Sequence, residues 1–101
     1  MDTNKPLISI IIPLFNAEKY IEETILSVIG QTYSKWELIV VDDCSKDDSV
    51  DIVQRMMIGD SRIQLIESEE NFGGPAKPRN IGMQASKGEY IAFLDNDDVW
   101  L

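Results

Sequence analysis

The almost unbroken apolar run at residues 7–14 constrains the fold more than any other feature of this chain. The run is rich in isoleucine and has no polar face, so it predicts a strand covered on both sides, as the strands of parallel sheets are. Ser9 and Pro13 interrupt it, and it is too short to cross a bilayer. Three further apolar runs, at residues 36–41, 63–67 and 90–94, are predicted to be strands of the same sheet.

Helical patterns separate the predicted strands. In the first, apolar residues recur at helical spacing over residues 20–29, and Gly30 lies near its end. The second covers about residues 49–57, with Asp47 or Asp48 placed to cap its first turn and Gly59 as a stop. The third is short, beginning near Pro78 and ending before residue 88. The resulting order, β-α-β-α-β-α-β, predicts a Rossmann-like three-layer α/β fold with a mostly parallel sheet.

The composition narrows the classes of function. A formal net charge of −9 argues against nucleic-acid binding, which needs clustered Lys and Arg. With Cys44 as the single cysteine and no histidine, the chain offers no internal disulfide and no usual zinc site. Any metal must be held by oxygen atoms, which favours Mg²⁺, Mn²⁺ or Ca²⁺. With one domain's worth of residues and no leader or spanning segment in the sequence, we expect a cytoplasmic protein.

Polar residues follow each predicted strand at its carboxyl end, which is where open α/β sheets bind ligands. Closely packed carboxylates repel one another unless a cation joins them, so they predict a site for Mg²⁺ or Mn²⁺ at this edge. A solvated turn or a helix cap explains the last cluster equally well on composition alone. In chain order, these residues are Pro13 and Asn16; Asp42, Asp43, Cys44 and Ser45; Glu69, Glu70 and Asn71; and Asp95, Asn96, Asp97 and Asp98.

Two candidate roles are open for each of three residues, Asp42, Asp43 and Arg79. Asp42 and Asp43 can accept hydrogen bonds from a base or a ribose, but capping of the next helix is the simpler role for each. Arg79 can fork onto a phosphate or pair with a nearby carboxylate. The chain lacks the glycine-rich signatures of dinucleotide folds and P-loops, and its last acidic cluster lacks the glycine and distal glutamate of an EF-hand.

Taken together, these residues resemble the family 2 glycosyltransferases, which are inverting enzymes with the GT-A fold. The likeness runs from Ser9 to Trp100, and the order and spacing of its pieces are more specific than any one piece. The matching residues are 9–13 with Phe15 and Asn16; 27–32; 37–43 with Ser45; Asn71, Gly73, Arg79, Asn80 and Gly82; and 88–91 running into 93–98.

The resemblance assigns a role to each candidate residue. It implies that Asp43 contacts the base of a nucleoside-diphosphate sugar, that Asp42 supports that loop, and that Arg79 lies near the diphosphate or base. Pro13 and Asn16 would line the nucleotide cleft. The pair Asp95 and Asp97 matches the family's D-x-D motif and would hold Mg²⁺ or Mn²⁺, with Asp97 as the main ligand and Asp95 also near the ribose.

The resemblance also predicts what this chain lacks. The family's catalytic base and acceptor site lie well past the D-x-D motif, so we expect the base beyond Leu101 and no catalytic residue within the chain. Residues 1–101 would then be the nucleotide-sugar-binding part of a truncated domain that transfers no sugar alone. Because residues 90–94 would lack a later strand to pair with, we expect the chain to be either a marginally stable monomer or a self-associating species. The full enzyme would transfer a sugar from a nucleoside-diphosphate sugar to a saccharide or lipid-linked acceptor. Uridine is the base favoured by family habit, with thymidine and guanosine as alternatives, and the enzyme would lie in the cytoplasm or at the inner face of the membrane.

The sequence departs from the family's usual residues at two places, and two other classes of function are alternatives to a glycosyltransferase. Cys44 stands where the family usually has glycine, and Lys77 and Pro78 where small residues are commoner. A non-catalytic nucleotide-sugar or metal-binding module is the alternative to an enzyme, and it would share every motif seen in the chain. A phosphoryl-transfer enzyme is a weaker alternative.

Overall fold

The structure is a computed structural model that describes residues 5–68 and 76–97. Strands and helices alternate along these residues in the predicted order. The elements are β1 (Ile8–Leu14), α1 (Ile21–Ile29), β2 (Trp36–Asp42), α2 (Ser49–Gly59), β3 (Ile63–Glu67), α3 (Ala76–Ala85) and β4 (Tyr90–Phe93).

Several predictions from sequence fall on positions that lie outside the described residues. They include the polar loop after β3 and the last residues of the chain, where the family likeness ends and beyond which the catalytic base was expected. The positions are Glu69, Glu70, Asn71, Gly73, Asp98, Trp100 and Leu101.

The strands form one parallel sheet in the order β3-β2-β1-β4. Successive side chains of β1 point to opposite faces, and this alternation divides the core in two. Ile10 and Ile12 pack with α1 and α2 on one face, whereas Ile11 packs with Ile39 and α3 on the other. The structure therefore confirms the predicted α/β architecture, in which helices cover both faces of the central strands.

The helix boundaries differ from prediction at two points. Gly59 was expected to follow α2 as a stop, but it is the last residue of the helix, and the chain becomes extended only at Asp60. A glycine at the end of a helix does not by itself break the hydrogen-bond ladder. The third helix was expected to begin near Pro78 and instead begins at Ala76, which leaves Pro78 in the first turn, where its missing N–H costs nothing.

A buried polar node fixes the turn between α3 and β4. The Ser9 hydroxyl, fully buried in β1, donates to Oε2 of Glu37 in β2 at 2.5 Å, and the backbone N–H of Lys87 donates to the same oxygen at 2.6 Å. The N–H of Gly88 donates to Ser9 Oγ at 2.8 Å. A Cβ at Gly88 would lie 2.7 Å from the backbone nitrogen of Ser9, so only glycine allows this approach. The node holds the chain as it enters β4.

The contact between α3 and the sheet is equally close. A Cβ at Gly82 would lie 2.5 Å from Cγ2 of Ile11, so the helix backbone rests directly on β1 at this point. Arg79 lies one turn earlier on the same helix, and its position therefore depends on this packing. Within the described ranges, no helix has the length and apolar character needed to span a membrane.

Candidate nucleotide and metal site

The predicted site residues that the structure describes lie at or just beyond the carboxyl ends of β1, β2 and β4, or on α3. Leu14 of β1 is paired in register with Asp42 of β2, and the N–H of Leu94, just after β4, donates to the carbonyl of Ile11. The segment of residues 94–97 therefore runs beside the end of β1. The structure brings the predicted residues to one edge of the sheet, as parallel strands require.

Asp42 is buried at the end of β2, and its carboxylate is used locally. It is 3% exposed, and both of its oxygens accept the backbone N–H of Ser45 at 3.2 Å. Its main-chain oxygen accepts the N–H of Ser68 at 2.9 Å. Asp42 thus holds the first turn of the loop after β2, which is the geometry of a residue that supports that loop.

Asp43 starts the same loop beside the end of β1. Its N–H donates to the carbonyl of Leu14 at 2.8 Å, and the residue is 5% exposed. Cys44, next in the chain, has φ +60°, a left-handed conformation that L-residues other than Asn and Asp rarely adopt. Glycine adopts such a conformation without steric cost, whereas the cysteine holds it at some cost in strain.

Asn16 joins the loop after β1 to the loop after β2. Its N–H donates to the Ser45 hydroxyl at 3.0 Å, while its side-chain oxygen accepts the N–H of Lys46 at 2.8 Å. Asn16 is exposed and has φ +45°, which asparagine tolerates better than most residues. The side-chain oxygen of Asn16 therefore binds protein, and its side-chain NH₂ group is the part left for a ligand.

Asp47 links the loop after β1 to the loop after β2. Its carboxylate accepts the N–H of Glu18 at 3.1 Å and the N–H of Ser49 at 2.9 Å, and it also accepts the Ser49 hydroxyl. Partial burial on its own would raise the pKa of Asp47, but these hydrogen bonds outweigh it and hold the pKa below its usual value. Ser49 Oγ in turn accepts the N–H of Ala17 at 2.8 Å. Asp47, rather than Asp48, satisfies the first turn of α2.

Arg79 faces the end of β4. Its guanidinium lies 3.3 Å from Oδ1 of Asp95 and 5.6 Å from the ring centre of Phe93. Both partners of the ion pair are partly open to solvent, with side chains 37% and 58% exposed, so the pair itself contributes little stability. Two roles were considered for Arg79, a contact with phosphate and an ion pair with a carboxylate, and the structure contains the ion pair. That pairing places the guanidinium beside one of the two expected metal ligands.

The turn after β4 carries Asp95 and Asp97, both exposed, on either side of Asn96. The side-chain oxygen of Asn96 accepts the N–H of Phe15 at 2.9 Å, and its main-chain oxygen accepts the hydroxyl of Thr24 at 3.1 Å. Across the described part of the chain, no three His, Cys, Asp or Glu side chains are grouped to hold a metal. A pair of exposed carboxylates fits Mg²⁺ or Mn²⁺, since these ions commonly take one or two protein carboxylates and complete their shells with water and phosphate oxygens.

Sequence reasoning missed the residues that fix these loops. Thr24 lies within residues 20–29, which were predicted only as a helix with an apolar stripe, and Glu18 and Ser49 received no role at all. The available signal was a polar residue within an apolar stripe, since Thr24 is fully buried and a buried hydroxyl needs a partner. Nothing in the local pattern showed which loop would supply that partner.

The expected position of the catalytic base is not reached by the described residues. The base was predicted to lie beyond Leu101, and Leu101 itself lies outside the part of the chain that the structure describes, which ends at Asp97. The location of the base therefore stays a prediction.

Comparisons with known proteins agree on the family. The profile of glycosyl transferase family 2 matches residues 9–101. The chain is 48% identical over 96 residues to TuaG of Bacillus subtilis (strain 168), a glycosyltransferase whose name assigns it to teichuronic acid biosynthesis. The matched stretch covers 95% of this chain and 38% of TuaG.

Two solved structures share the fold. Staphylococcus aureus TarS 1-349 in complex with UDP-GlcNAc aligns with a TM-score of 0.86 and 38% identity, over 91% of this chain and 27% of that one. The mannosyltransferase PcManGT from Pyrobaculum calidifontis, in complex with GDP-Man and Mn²⁺, aligns with a TM-score of 0.88 and 29% identity, over 97% of this chain and 29% of that one. The chain therefore spans less than half the length of these relatives. The predicted GT-A type of α/β fold is confirmed, and the chain belongs to glycosyl transferase family 2.

Proposed function

We propose that residues 1–101 form the donor-binding part of a metal-dependent glycosyltransferase that moves a sugar from a nucleoside-diphosphate sugar to an acceptor hydroxyl with inversion. One observation carries the proposal. In a chain of this family, Asp42 ends one strand with Asp43 directly after it, Asp95 and Asp97 follow another strand, and β1 with its loop at Asn16 lies between the two pairs. This spacing suits a ligand with a base at one end and a diphosphate at the other.

The nucleoside end of the ligand is assigned to the loops after β1 and β2. Asp43 accepts a base N–H, Asp42 holds the loop through Ser45, and Pro13 and Asn16 line the cleft. Uridine is the proposed base, supported by the UDP-GlcNAc bound to TarS at 38% identity. The GDP-Man bound to the mannosyltransferase at 29% identity makes guanosine the competitor to test.

The diphosphate end is assigned to the turn after β4. Asp97 and Asp95 would hold Mg²⁺ or Mn²⁺, and the Mn²⁺ in the mannosyltransferase structure supports this choice of ion. When bound, such an ion neutralises the charge that develops on the leaving diphosphate. The guanidinium of Arg79, 3.3 Å from Asp95, is close enough to exchange that carboxylate for a phosphate oxygen when a donor binds.

The catalytic base is assigned to a carboxylate beyond Leu101, because the described acidic side chains at the site are accounted for by nucleotide, metal and loop contacts. Inverting transfer requires a base within hydrogen-bond reach of the acceptor hydroxyl. We therefore expect no sugar transfer from the 101-residue chain alone to saccharide or lipid-linked acceptors. Turnover of UDP-sugars above background, with Mn²⁺ and a broad acceptor set, would show that the base lies within the chain.

The cellular setting follows from the chemistry of the donor. Nucleoside-diphosphate sugars are charged and water-soluble, so we place the full enzyme in the cytoplasm, peripheral to the inner face of the membrane when its acceptor is lipid-linked. We place its reaction in the synthesis of a cell-surface polysaccharide or related glycan, and the name of TuaG supports that setting. Fractionation of cells that express the full protein would test the location.

Self-association of the chain is proposed from the outer strand of the sheet. Among the described strands β4 is an edge, and its residues Tyr90, Ile91 and Phe93 are 62%, 41% and 45% exposed. Unpaired edges with apolar side chains favour pairing with a second copy. Sedimentation velocity over a concentration series would show a monomer–dimer equilibrium, and a concentration-independent monomer would contradict it.

Calorimetric titration with nucleoside diphosphates tests the proposed function. We expect UDP to bind in Mn²⁺ and to bind at least about tenfold more weakly with a chelator, because a diphosphate is repelled by an acidic turn that has no cation. CDP, GDP and ADP form the comparison panel, and uridine controls for the base. Equal UDP affinity with Mn²⁺ and with chelator would refute the metal bridge, and preference for GDP would reassign the base.

A further inference from the structure

Asn96, between the two expected metal ligands, is held through both of its oxygen atoms. Its side-chain oxygen accepts the N–H of Phe15, the first residue after β1, at 2.9 Å. Its main-chain oxygen accepts the Thr24 hydroxyl from α1 at 3.1 Å. The residue that separates Asp95 from Asp97 is thus tied to the loop after β1 and to the helix that follows it.

Thr24 makes an unusual contact for a threonine within a helix. Such hydroxyls commonly bond back to the carbonyl four residues earlier in the same helix. In this chain the carbonyl of Tyr20 accepts the N–H of Thr24 at 3.0 Å, and the hydroxyl reaches across to Asn96. Thr24 is fully buried, so no water competes for its proton, and the bond ties the turn to a helix that is packed in the core.

We propose that Thr24 is a positioning residue for the metal ligands, acting through Asn96 to hold the turn of Asp95 and Asp97 in the arrangement that binds a divalent cation. This inference rests on the proposed function and extends it to a residue that touches neither metal nor donor. Mg²⁺ and Mn²⁺ demand regular coordination, so a turn free to move would bind them more weakly. Loss of residues that orient metal ligands lowers metal affinity by about 10–100-fold.

The test compares Thr24→Val with Thr24→Ser in Mn²⁺-dependent UDP binding. Valine keeps the shape of threonine and removes the hydroxyl, whereas serine keeps the hydroxyl. We therefore expect Thr24→Val to lower UDP affinity in Mn²⁺ by at least about tenfold and Thr24→Ser to retain the affinity of the unmodified chain. Uridine binding without metal stays unchanged in both variants. Thr32→Val, the same substitution at an exposed position, is the matched control and has no effect.

A second measurement needs no ligand. Hydrogen exchange at the Phe15 amide reports whether Asn96 still holds it, and we expect Thr24→Val to raise that rate by about tenfold while the amides within β1 keep theirs. Asn96→Ala, at a partly exposed position, is expected to release the same amide and to lower Mn²⁺-dependent binding with the Thr24 side chain intact.

The outcomes separate this inference from the proposed function. If the unmodified chain binds UDP independently of Mn²⁺, the proposed function fails, and an unchanged Phe15 exchange rate in Thr24→Val then overturns the coupling as well. If the unmodified chain shows the metal dependence and Thr24→Val retains it in full, the positioning role is wrong. Equal loss of uridine binding and of Mn²⁺-dependent UDP binding in Thr24→Val would mean general damage and would also overturn it.

Discussion

Removal of the Glu37 carboxylate is predicted to be among the most destabilising single changes at a polar position in this chain. Glu37 is 8% exposed and accepts two short hydrogen bonds, from Ser9 at 2.5 Å and from Lys87 at 2.6 Å, with a longer one from Gln64 at 3.3 Å. In Glu37→Ala the Ser9 hydroxyl and the Lys87 N–H lose their acceptor. The turn that leads into β4 loses its anchor at the same time.

The magnitude follows from those bonds. A hydrogen bond to a charged group contributes about 1.5–3 kcal/mol, and partial entry of water offsets some of the loss, so Glu37→Ala costs about 3 kcal/mol of unfolding free energy. For a chain of this size that lowers the melting temperature by about 12–24 °C. Glu37→Gln keeps one good acceptor and replaces the other with a donor, so its cost is about half as large.

Urea unfolding followed by far-ultraviolet circular dichroism measures the loss of stability. If the unfolding free energy falls with urea concentration at the same slope in the variant, unfolding exposes the same amount of surface. The matched control is Glu89→Ala, an exposed carboxylate in the same turn, which is expected to change stability by less than about 0.5 kcal/mol. If Glu37→Ala is no less stable than Glu89→Ala, the buried node does not hold the turn and the reasoning is wrong.

Three further predictions concern the site and its supports. Asp97→Ala removes the Mn²⁺ dependence of UDP binding, whereas Asp43→Ala weakens uridine and UDP alike with or without metal; a Mn²⁺ dependence retained in Asp97→Ala, seen by calorimetry, contradicts the ligand assignment. Gly82→Ala forces α3 away from Ile11, because the new Cβ would lie 2.5 Å from Cγ2, and costs about 1–3 kcal/mol in urea unfolding. Asp47→Asn is expected to make the unfolding free energy fall less steeply at acid pH. The lowered pKa of Asp47 stabilises the fold above its unfolded value of about 4, and that stability is lost as pH falls through the folded pKa. An unfolding free energy that falls equally steeply with acid in the variant and in the unmodified chain refutes the assignment.

The sheet was predictable from sequence because each of its strands is a local apolar run. β3 lies at the predicted residues, and β1, β2 and β4 differ from prediction by one residue at an end. The positions of the site residues followed, since parallel strands bring their carboxyl ends to one edge. The end of α2 was misplaced because Gly59 signals a stop only when the chain turns there, and that depends on the route to β3.

The supports of the site were harder to predict because they are contacts between distant segments. Asn16 was assigned to the nucleotide cleft, yet its side-chain oxygen holds Lys46, thirty residues away. The bond from Thr24 to Asn96 spans seventy-two residues. No local pattern specifies such a pair, because each partner could satisfy its hydrogen bonds in several other ways. The roles of the acidic site residues toward a ligand, and a catalytic base beyond Leu101, stay predictions.

Paramagnetic broadening by Mn²⁺ in nuclear magnetic resonance spectra tests the central claim most directly. With UDP bound, substoichiometric Mn²⁺ is expected to broaden the amide signals of Asp95, Asn96 and Asp97 most strongly, while uridine alone shifts the signals around Asp43. Exposed Asp51 on α2 samples nonspecific attraction of the cation to an acidic surface. Strong broadening confined to the turn after β4 supports a donor site at the carboxyl edge of the sheet. Broadening at Asp51 equal to that at Asp97 would contradict it.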